Sequence, residues 1–366
     1  MAPVCDFATR PNWCSTTIPR LSGANTSQAY STSWGSVTTK KTNLSRASEL
    51  IRGSQRPLLV CHVTPDDDAI GSLTGLGGAL RRLALEPTMA CSDVIASRLR
   101  YIPGADQIVQ RVESAFDLVV SVDCSDLCRL GSIAQLPGFD SVPLINIDHH
   151  VSNPGFGEVN LVDAKAACTA EIVLELLDYM GAAVDTETAT SLLAGVVGDT
   201  RGFRTNNVTV TLMETAVRLM KAGAPLPHTA FHGLDRRTIG SIKLWGAALE
   251  LLRIEDGVIW ATIPLAVRQA VGFDGPGDAG LAGFLNGADE ADVAAVLTER
   301  KDGNVEVGLR ASPGFDVAQV AAQFGGGGHA LAAGCLVDGP LEEAERRVLA
   351  ALKASVAARH GSAESG

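Results

Sequence analysis

Three short apolar segments, each followed by a cluster of acidic or imidazole side chains, most constrain the fold of this chain. They are Pro57–Val63, Leu118–Val122 and Pro143–Ile147, and helical patterns lie between and after them. Uninterrupted apolar runs of this length are typical of strands buried on both faces of a parallel sheet. The alternation predicts an α/β fold with a doubly wound parallel sheet, in which ligands bind beyond the carboxyl ends of the strands.

Four polar clusters follow the apolar elements. They are HVTPDDDAIGS at 62–72, SVDCSD at 121–126, DHH at 148–150 and GDT at 198–200. Carboxylate oxygens mixed with imidazole nitrogens suit Mn²⁺ or Mg²⁺ better than zinc. Two such cations also relieve the repulsion between converging carboxylates. Taken singly, Asp123 or Asp199 is more typical of a helix N-cap and His149 of a structural histidine. Four clusters within one α/β domain indicate a metal centre.

The order of the motifs HxxPDxDxxGS, VDxSD, DHH and GDT resembles that of the DHH phosphoesterases. Asn153, Asn160 and the run 169–171 extend the similarity, which covers roughly residues 45–355. The resemblance implies two sets of metal ligands that share one bridging carboxylate. One set is His62, Asp66 and Asp123, and the other is Asp68, Asp123, His149 and Asp199.

The resemblance also implies catalytic roles for Asp123, Asp148, His149 and His150. Asp148 would orient the metal-bound His149, as carboxylates commonly do for imidazole ligands. His150 would face the substrate phosphate. Two Mn²⁺ ions, with Mg²⁺ as the alternative, would activate water for an in-line displacement.

Two residues depart from the family pattern. Asp67 occupies a position where smaller residues are common, and we interpret it as a solvated carboxylate, with support of the neighbouring ligands as the alternative. Arg201 follows GDT where the family more often has a small residue. Contact with a phosphate and exposure to solvent are equally compatible with its position.

A glycine-rich run, FGGGGHA at 324–330, is the second strong motif. Glycine lets backbone N–H groups approach a ligand closely, and we expect a helix N-terminus after it to favour anions. With the neighbouring runs 307–312 and 332–334, it resembles the DHHA1 domain, the substrate-binding partner of one branch of the family. The substrate-binding residues implied are His150, Arg310, Ser312, Gly326, Gly327, Gly328 and His329. His228, His232 and His360 match no motif and are interpreted as structural or exposed.

These features predict two domains with a cleft between them. Residues 1–43 are predicted to be a disordered leader, 44–222 the metal-binding DHH domain, 223–250 a linker, 251–358 a smaller α/β DHHA1 domain and 359–366 a tail. The smaller domain has strand patterns at Val258–Pro264, Val293–Thr298 and Val305–Arg310 and helical patterns at Asp316–Phe324 and Leu341–Ala358.

Composition limits the partners. The formal net charge of −11 argues against tight binding of long duplex nucleic acid. No apolar run reaches the roughly 18–20 residues that span a bilayer, so we expect no association with a membrane. The N-terminus lacks a signal pattern, so we expect a cytoplasmic protein. The eight cysteines form no paired CxxC motifs and are expected to be reduced.

The resemblance is strongest to compact family members that degrade oligoribonucleotides of a few residues and remove the 3′-phosphate of 3′-phosphoadenosine 5′-phosphate (pAp). Some relatives hydrolyse pApA or cyclic di-AMP. The alternatives are an inorganic pyrophosphatase-like enzyme, a short single-strand DNA exonuclease, and a non-catalytic nucleotide-binding regulator. The last is disfavoured because every ligand position is present. Many family members are dimeric, which makes a homodimer one of the expected assemblies.

Overall fold

The structure, a computed structural model, describes residues 37–275 and 277–363. The chain divides into two compact units, with the division between Arg236 and Arg237. The N-terminal unit ends at Arg236, and the C-terminal unit begins at Arg237.

The N-terminal unit contains a five-stranded sheet that is parallel throughout. Its strands are β1 (Pro57–Cys61), β2 (Thr88–Ala90), β3 (Leu118–Val122), β4 (Leu144–Asp148) and β5 (Val159–Val162), in the order β2-β1-β3-β4-β5. Its α-helices are α1 (Val37–Gly53), α2 (Asp67–Arg82), α3 (Thr169–Tyr179), α4 (Thr186–Asp199), α5 (Val210–Lys221) and α6 (Leu226–Ala230), and a π-helical turn follows at Phe231–Asp235. Short 3₁₀ turns connect several of these elements.

Both faces of this sheet are buried, which explains the uninterrupted apolar runs. Successive side chains of a strand point to opposite faces. Leu59 and Cys61 of β1 therefore join the core formed with α2, α3 and α4, while Leu58 and Val60 join a second core on the other face. The predicted doubly wound parallel sheet is confirmed.

The C-terminal unit is built on a six-stranded mixed sheet. Its strands are β6 (Arg253–Glu255), β7 (Val258–Ile263), β8 (Val293–Glu299), β9 (Asn304–Ala311), β10 (Gly327–His329) and β11 (Ala332–Asp338), in the order β10-β11-β9-β8-β7-β6. Only β7 and β8 pair in parallel. Its helices are α7 (Ile239–Leu249), α8 (Leu265–Val271), α9 (Leu281–Leu285), α10 (Val317–Gln323) and α11 (Leu341–Ala363). The smaller α/β fold is confirmed.

The first and last described helices extend beyond the predicted boundaries. Residues 37–43, placed in the leader, form the start of α1, where the Asn43 side chain donates to the Asn160 carbonyl at 3.0 Å. Helix α11 continues to Ala363, and Arg359 Nε donates to the Gly314 carbonyl at 3.0 Å. These contacts are remote in sequence, so local patterns do not reveal them. The rest of the predicted leader, residues 1–36, and residues 364–366 of the tail lie outside the described residues.

The remaining predictions concern the linker, the cysteines and the membrane. The segment 223–250 contains α6, the π-helical turn and α7, and the division between the units falls within it. Five cysteines are free and buried, as expected for small apolar side chains: Cys61, Cys91, Cys124, Cys168 and Cys335. Cys128 is disulfide-bonded, so the expectation that all eight cysteines are reduced is wrong. Among the described residues, no helix has the length and apolar character needed to cross a bilayer.

Candidate active site

The carboxyl ends of three adjacent parallel strands bring the predicted ligands together. His62 follows β1, Asp123 follows β3, and Asp148 is the last residue of β4. Because β1, β3 and β4 are neighbours in the sheet, their carboxyl ends share one edge. The start of α2 adds Asp66 and Asp68, and the end of α4 adds Asp199.

The side chains form three overlapping groups whose potential ligand atoms lie within 4.8 Å of one another. The groups are His62 with Asp66 and Asp123, Asp68 with His149 and Asp199, and Asp123 with His149 and His150. All six predicted metal ligands are therefore brought into one cluster. The first group equals one of the expected ligand sets, and the second contains the other expected set without Asp123.

Asp123 lies at the centre of the cluster. Its Oδ2 is 3.5 Å from His62 Nε2, while its Oδ1 is 3.7 Å from His149 Nε2. The two oxygens of one carboxylate thus face imidazoles on two sides. The residue is 1% exposed and has a φ of 54°, a conformation that few non-glycine residues adopt. Such conformations concentrate at functional sites, where the surrounding structure imposes them.

Asp68 is held by the start of α3. Its Oδ2 accepts a hydrogen bond from the Thr169 backbone N–H at 2.6 Å, and its Oδ1 accepts one from Ala170 at 3.0 Å. The Thr169 hydroxyl in turn donates to Asp123 Oδ1 at 2.9 Å. The first N–H groups of a helix stabilise negative charge, and the Thr169 hydroxyl links this helix start to Asp123 as well.

Burial and crowding strongly perturb these ionisable groups. Burial, with Asp123 and Asp199 nearby, raises the pKa of Asp68 well above its usual range, and burial raises the pKa of Asp199 to about 6. Burial alone would lower the pKa of His62, but its hydrogen bond and attraction to Asp123 raise it to about 9. Converging carboxylates therefore demand compensating positive charge, and their oxygens together with two imidazoles fit divalent cations.

Asp148 contacts a different histidine from the one expected. Its Oδ1 lies 2.7 Å from His150 Nδ1, not against His149. His149 instead directs Nε2 toward Asp199 Oδ2 at 3.1 Å. Both imidazoles lie beside the same oxygen of Asp123, since His149 Nε2 and His150 Nδ1 are each 3.7 Å from Oδ1, and their ring centroids are 4.6 Å apart. Asp148 therefore positions His150.

In the C-terminal unit, Arg310 and His329 lie on either side of Ala332 across three paired strands. Ala332 of β11 pairs with Arg310 of β9 and with His329 of β10, both antiparallel. Directly paired residues of antiparallel strands project from the same face of the sheet. Ser312 follows β9, and its N–H donates to the Asp292 carbonyl at 2.8 Å. The structure thus brings the side chains of these two substrate-binding candidates to one face of the sheet.

The expected helix N-terminus after the glycine run is wrong. The run forms β10 and turns directly into β11, with Gly327 opposite Gly334. A Cβ at Gly326 would lie 2.2 Å from the Gly334 carbonyl oxygen, and one at Gly328 would lie 2.5 Å from that of Ala332. These glycines therefore permit close approach of the strands, and the expected contribution of a helix dipole is missing.

Comparisons with known proteins decide the family. Residues 57–196 match the DHH family, N-terminal domain, and residues 265–358 match the DHHA1 domain. The chain belongs to the DHH family. It is 31% identical over 310 residues to the bifunctional oligoribonuclease and PAP phosphatase NrnA of Thermus thermophilus, covering 84% of this chain and 92% of that protein. It is 27% identical over 283 residues to the Bacillus subtilis protein of the same name, covering 75% and 87%.

A solved structure of an exopolyphosphatase-related protein from Bacteroides fragilis resembles this DHH protein with a TM-score of 0.82. The sequence identity is 21%, and the alignment covers 87% of this chain and 98% of that one. At this identity the likeness supports the fold alone.

Asp67, one of the two residues that depart from the DHH pattern, was expected to be solvated, but its side chain is buried. Its Oδ2 accepts from Arg98 Nη1 at 2.6 Å and its Oδ1 from the Tyr101 hydroxyl at 2.8 Å. Burial raises the pKa of Asp67, and the two donors oppose that rise. Sequence reasoning missed Arg98 and Tyr101, because neither belongs to a motif. Arg201 is exposed, with a φ of 50°.

Proposed function

We propose that this DHH protein is a metal-dependent phosphoesterase that hydrolyses short oligoribonucleotides, removes the 3′-phosphate of pAp, or does both. The single observation that carries the proposal is the pair of Asp123 oxygens facing His62 and His149 from one carboxylate. That arrangement suits a residue shared between two cations. The names of the NrnA relatives, of which the chain covers most of the length, support the class of substrate.

The proposed ligands are His62, Asp66 and Asp123 for one Mn²⁺, and Asp68, Asp123, His149 and Asp199 for the other. Mn²⁺ is preferred over Mg²⁺ because imidazole nitrogens take part in both sets. When bound, the two cations supply a water of lowered pKa and neutralise charge on the phosphoryl oxygens.

His150 is proposed to contact a phosphoryl oxygen of the substrate. Its Nδ1 is held by Asp148, whose other oxygen accepts from Asn153 Nδ2 at 2.6 Å. Asn153 also donates to the Cys124 carbonyl at 3.1 Å, which ties this chain of contacts to the loop after β3. The imidazole orientation is therefore fixed before substrate arrives, which lowers the cost of reaching the reactive geometry.

Substrate is proposed to bind Arg310 and His329, with Ser312 and the backbone of Gly326, Gly327 and Gly328 alongside. A guanidinium donates two parallel hydrogen bonds to a phosphate. The shared face of Arg310 and His329 supports binding of one anionic group by both.

A homodimer is proposed through α5. Val210, Met213, Val217 and Met220 are 77%, 43%, 48% and 43% exposed and recur at the three- and four-residue spacing of a helical seam. An antiparallel second copy of α5 places each Val opposite a Met, as a two-fold interface requires. Sedimentation should show a dimer for the wild type and a monomer for Val217→Glu. A wild-type monomer at micromolar concentration would contradict this assembly.

A turnover panel with Mn²⁺ tests the function. It compares pAp, pApA, cyclic di-AMP, RNAs of graded length, single-stranded DNA and pyrophosphate. We expect hydrolysis of pAp, of RNAs of a few nucleotides, or of both, with RNA turnover falling as length increases. Turnover of pyrophosphate alone would favour the pyrophosphatase-like alternative, and preference for DNA the exonuclease. Nucleotide binding without turnover would favour the regulator.

A further inference from the structure

Three rings that match no family motif form a stack in the N-terminal unit. Tyr101 stacks on His232 with centroids 5.4 Å apart and planes at 25°. His232 lies against His228 with centroids 4.2 Å apart and planes at 35°. His228 is exposed, whereas Tyr101 and His232 are half-buried, so the stack reaches solvent at His228. We call these three residues the ring stack.

One hydrogen bond separates the ring stack from the segment that carries metal ligands. The Tyr101 hydroxyl donates to Asp67 Oδ1 at 2.8 Å, and Asp67 lies between the proposed ligands Asp66 and Asp68. Burial and the nearby Asp67 raise the pKa of Tyr101, so this hydroxyl keeps its proton.

The π-helical turn that carries His232 packs on the same contact. A Cβ at Gly233 would lie 2.8 Å from the Tyr101 hydroxyl oxygen and 3.4 Å from Asp67 Oδ1. A larger residue at position 233 would displace the Tyr101 hydroxyl from this position. Single π-turns are rare and are frequently found at functional sites.

Two arginines flank the ring stack in a chain of net charge −11. Arg98 is bound to Asp67, yet half of its side chain is exposed. Arg236 Nη1 lies 3.1 Å from His232 Nδ1. Partial burial, with His228 and Arg236 nearby, lowers the pKa of His232, which favours its uncharged ring at neutral pH. Flat rings beside guanidinium groups are the features that bind bases and backbone of single strands.

Because His228 and His232 are four residues apart, the alternative interpretation is that they bind a metal ion. Among the described residues, neither His228 nor His232 belongs to a group of three potential ligands within 4.8 Å. The ring stack therefore lacks the ligands of a cation site, and its exposed ring favours stacking.

We propose that the ring stack binds a nucleobase of the substrate, with His228 as the contacting ring and Arg98 and Arg236 beside the adjoining phosphate. The inference rests on the proposed function and assigns it a base-recognising surface next to the metal centre. Specificity for nucleotides over other phosphate esters follows from this surface.

The test compares a 5′-phosphorylated RNA dinucleotide with the same dinucleotide lacking its bases. For His228→Ala we expect KM for the normal dinucleotide to rise about tenfold, with kcat and bound Mn²⁺ unchanged, because base–aromatic stacking contributes this order of affinity. The abasic dinucleotide should show no such rise. His228→Phe should restore the wild-type KM, and His360→Ala, an exposed histidine of the other unit, should leave it unchanged.

The outcomes separate two failures. Hydrolysis of both dinucleotides with the same KM in His228→Ala and wild type would overturn the ring-stack assignment alone. An equal loss on normal and abasic substrates would also overturn it, because the residue would then act on folding or phosphate binding. Absence of Mn²⁺-dependent hydrolysis by the wild type would overturn the proposed function together with this inference.

Discussion

Asp148 Oδ1 lies 2.7 Å from His150 Nδ1, at the end of the strand that supplies the DHH triad. The carboxylate is fully buried, and Asn153 holds its second oxygen. Within the triad, the aspartate thus positions the second histidine, while the first faces Asp199. The proposed function accordingly gives the two histidines separate tasks, with His149 as a metal ligand and His150 as a contact to the substrate.

Replacing Asp148 with Asn should lower kcat by about 10- to 100-fold, the usual effect of losing the partner of a functional imidazole. Bound Mn²⁺ should change little, because His150 is outside both proposed ligand sets. Steady-state kinetics and metal analysis check this result. Asp178→Asn, a surface carboxylate paired with Arg218, is the matched control. The positioning role would be contradicted if the variant lost Mn²⁺ but had the wild-type kcat per metal-loaded chain.

Replacing Arg310 with Ala should lower kcat/KM by about 10- to 100-fold, as expected when a charged hydrogen bond of roughly 1.5–3 kcal/mol is lost. The metal content should stay the same, because the metal ligands lie in the other unit. Kinetics on pAp measure the effect, and Arg346→Ala, an exposed arginine of α11, serves as the control. A variant that loses its Mn²⁺ would show that the assignment of tasks to the two units is wrong.

Replacing Gly71 with Ala should destabilise the N-terminal unit by about 1–3 kcal/mol, the range for overpacking. Its Cβ would lie 2.4 Å from the Ser191 carbonyl oxygen, at the contact between the helices that begin and end at metal ligands. Denaturant unfolding measures the loss. Gly53→Ala, where nothing lies within 4 Å of the new Cβ, should change stability by less than about 0.5 kcal/mol. Equal stability of the two variants would refute the packing argument.

Asp117 should make stability depend on pH. Partial burial opposes its charge, but hydrogen bonds from Ser54 and from the backbone N–H groups of Gln55 and Arg56 lower its pKa. A depressed carboxyl pKa stabilises the fold above the unfolded value, near pH 4, and this contribution disappears as pH falls through the folded value.

Asp117→Asn should therefore destabilise the fold at pH 7 by less than about 1 kcal/mol, because solvent screens this exposed carboxylate, and the difference from wild type should shrink below about pH 4. Urea unfolding at several pH values measures it, with the exposed Asp140→Asn as the control. A difference that stays constant with pH would exclude the charge as its cause.

The apolar runs predicted most of the sheet because burial on both faces leaves a strong pattern. The predicted strand Leu118–Val122 coincides with β3. Five strands were missed. Strands β2, β6 and β10 have three residues each and β5 has four, and segments this short show no clear periodicity. Strand β11 has seven residues and was missed as well. The structure of the glycine run was mispredicted because it depends on pairing between β10 and β11. Local sequence does not specify which strands pair.

At the candidate site, the residue types and their order predicted which side chains converge, but not every contact. Asp148 contacts His150 and not His149 because of the path that the chain takes after β4, which no local pattern specifies. The burial of Asp67 depended on Arg98 and Tyr101, which lie 31 and 34 residues away and belong to no motif. Contacts between distant segments decide such details, and only the folded chain supplies them.

The proposed function depends most on the Asp123 carboxylate, which is proposed to bind two cations at the carboxyl ends of β1, β3 and β4. Bound Mn²⁺ and turnover of pAp or a short RNA should be measured for the wild type and for Asp123→Ala. We predict two Mn²⁺ per wild-type chain, with fewer than two and almost no turnover in the variant. Retention of both ions, or of more than a few per cent of wild-type turnover, would contradict the two-metal centre.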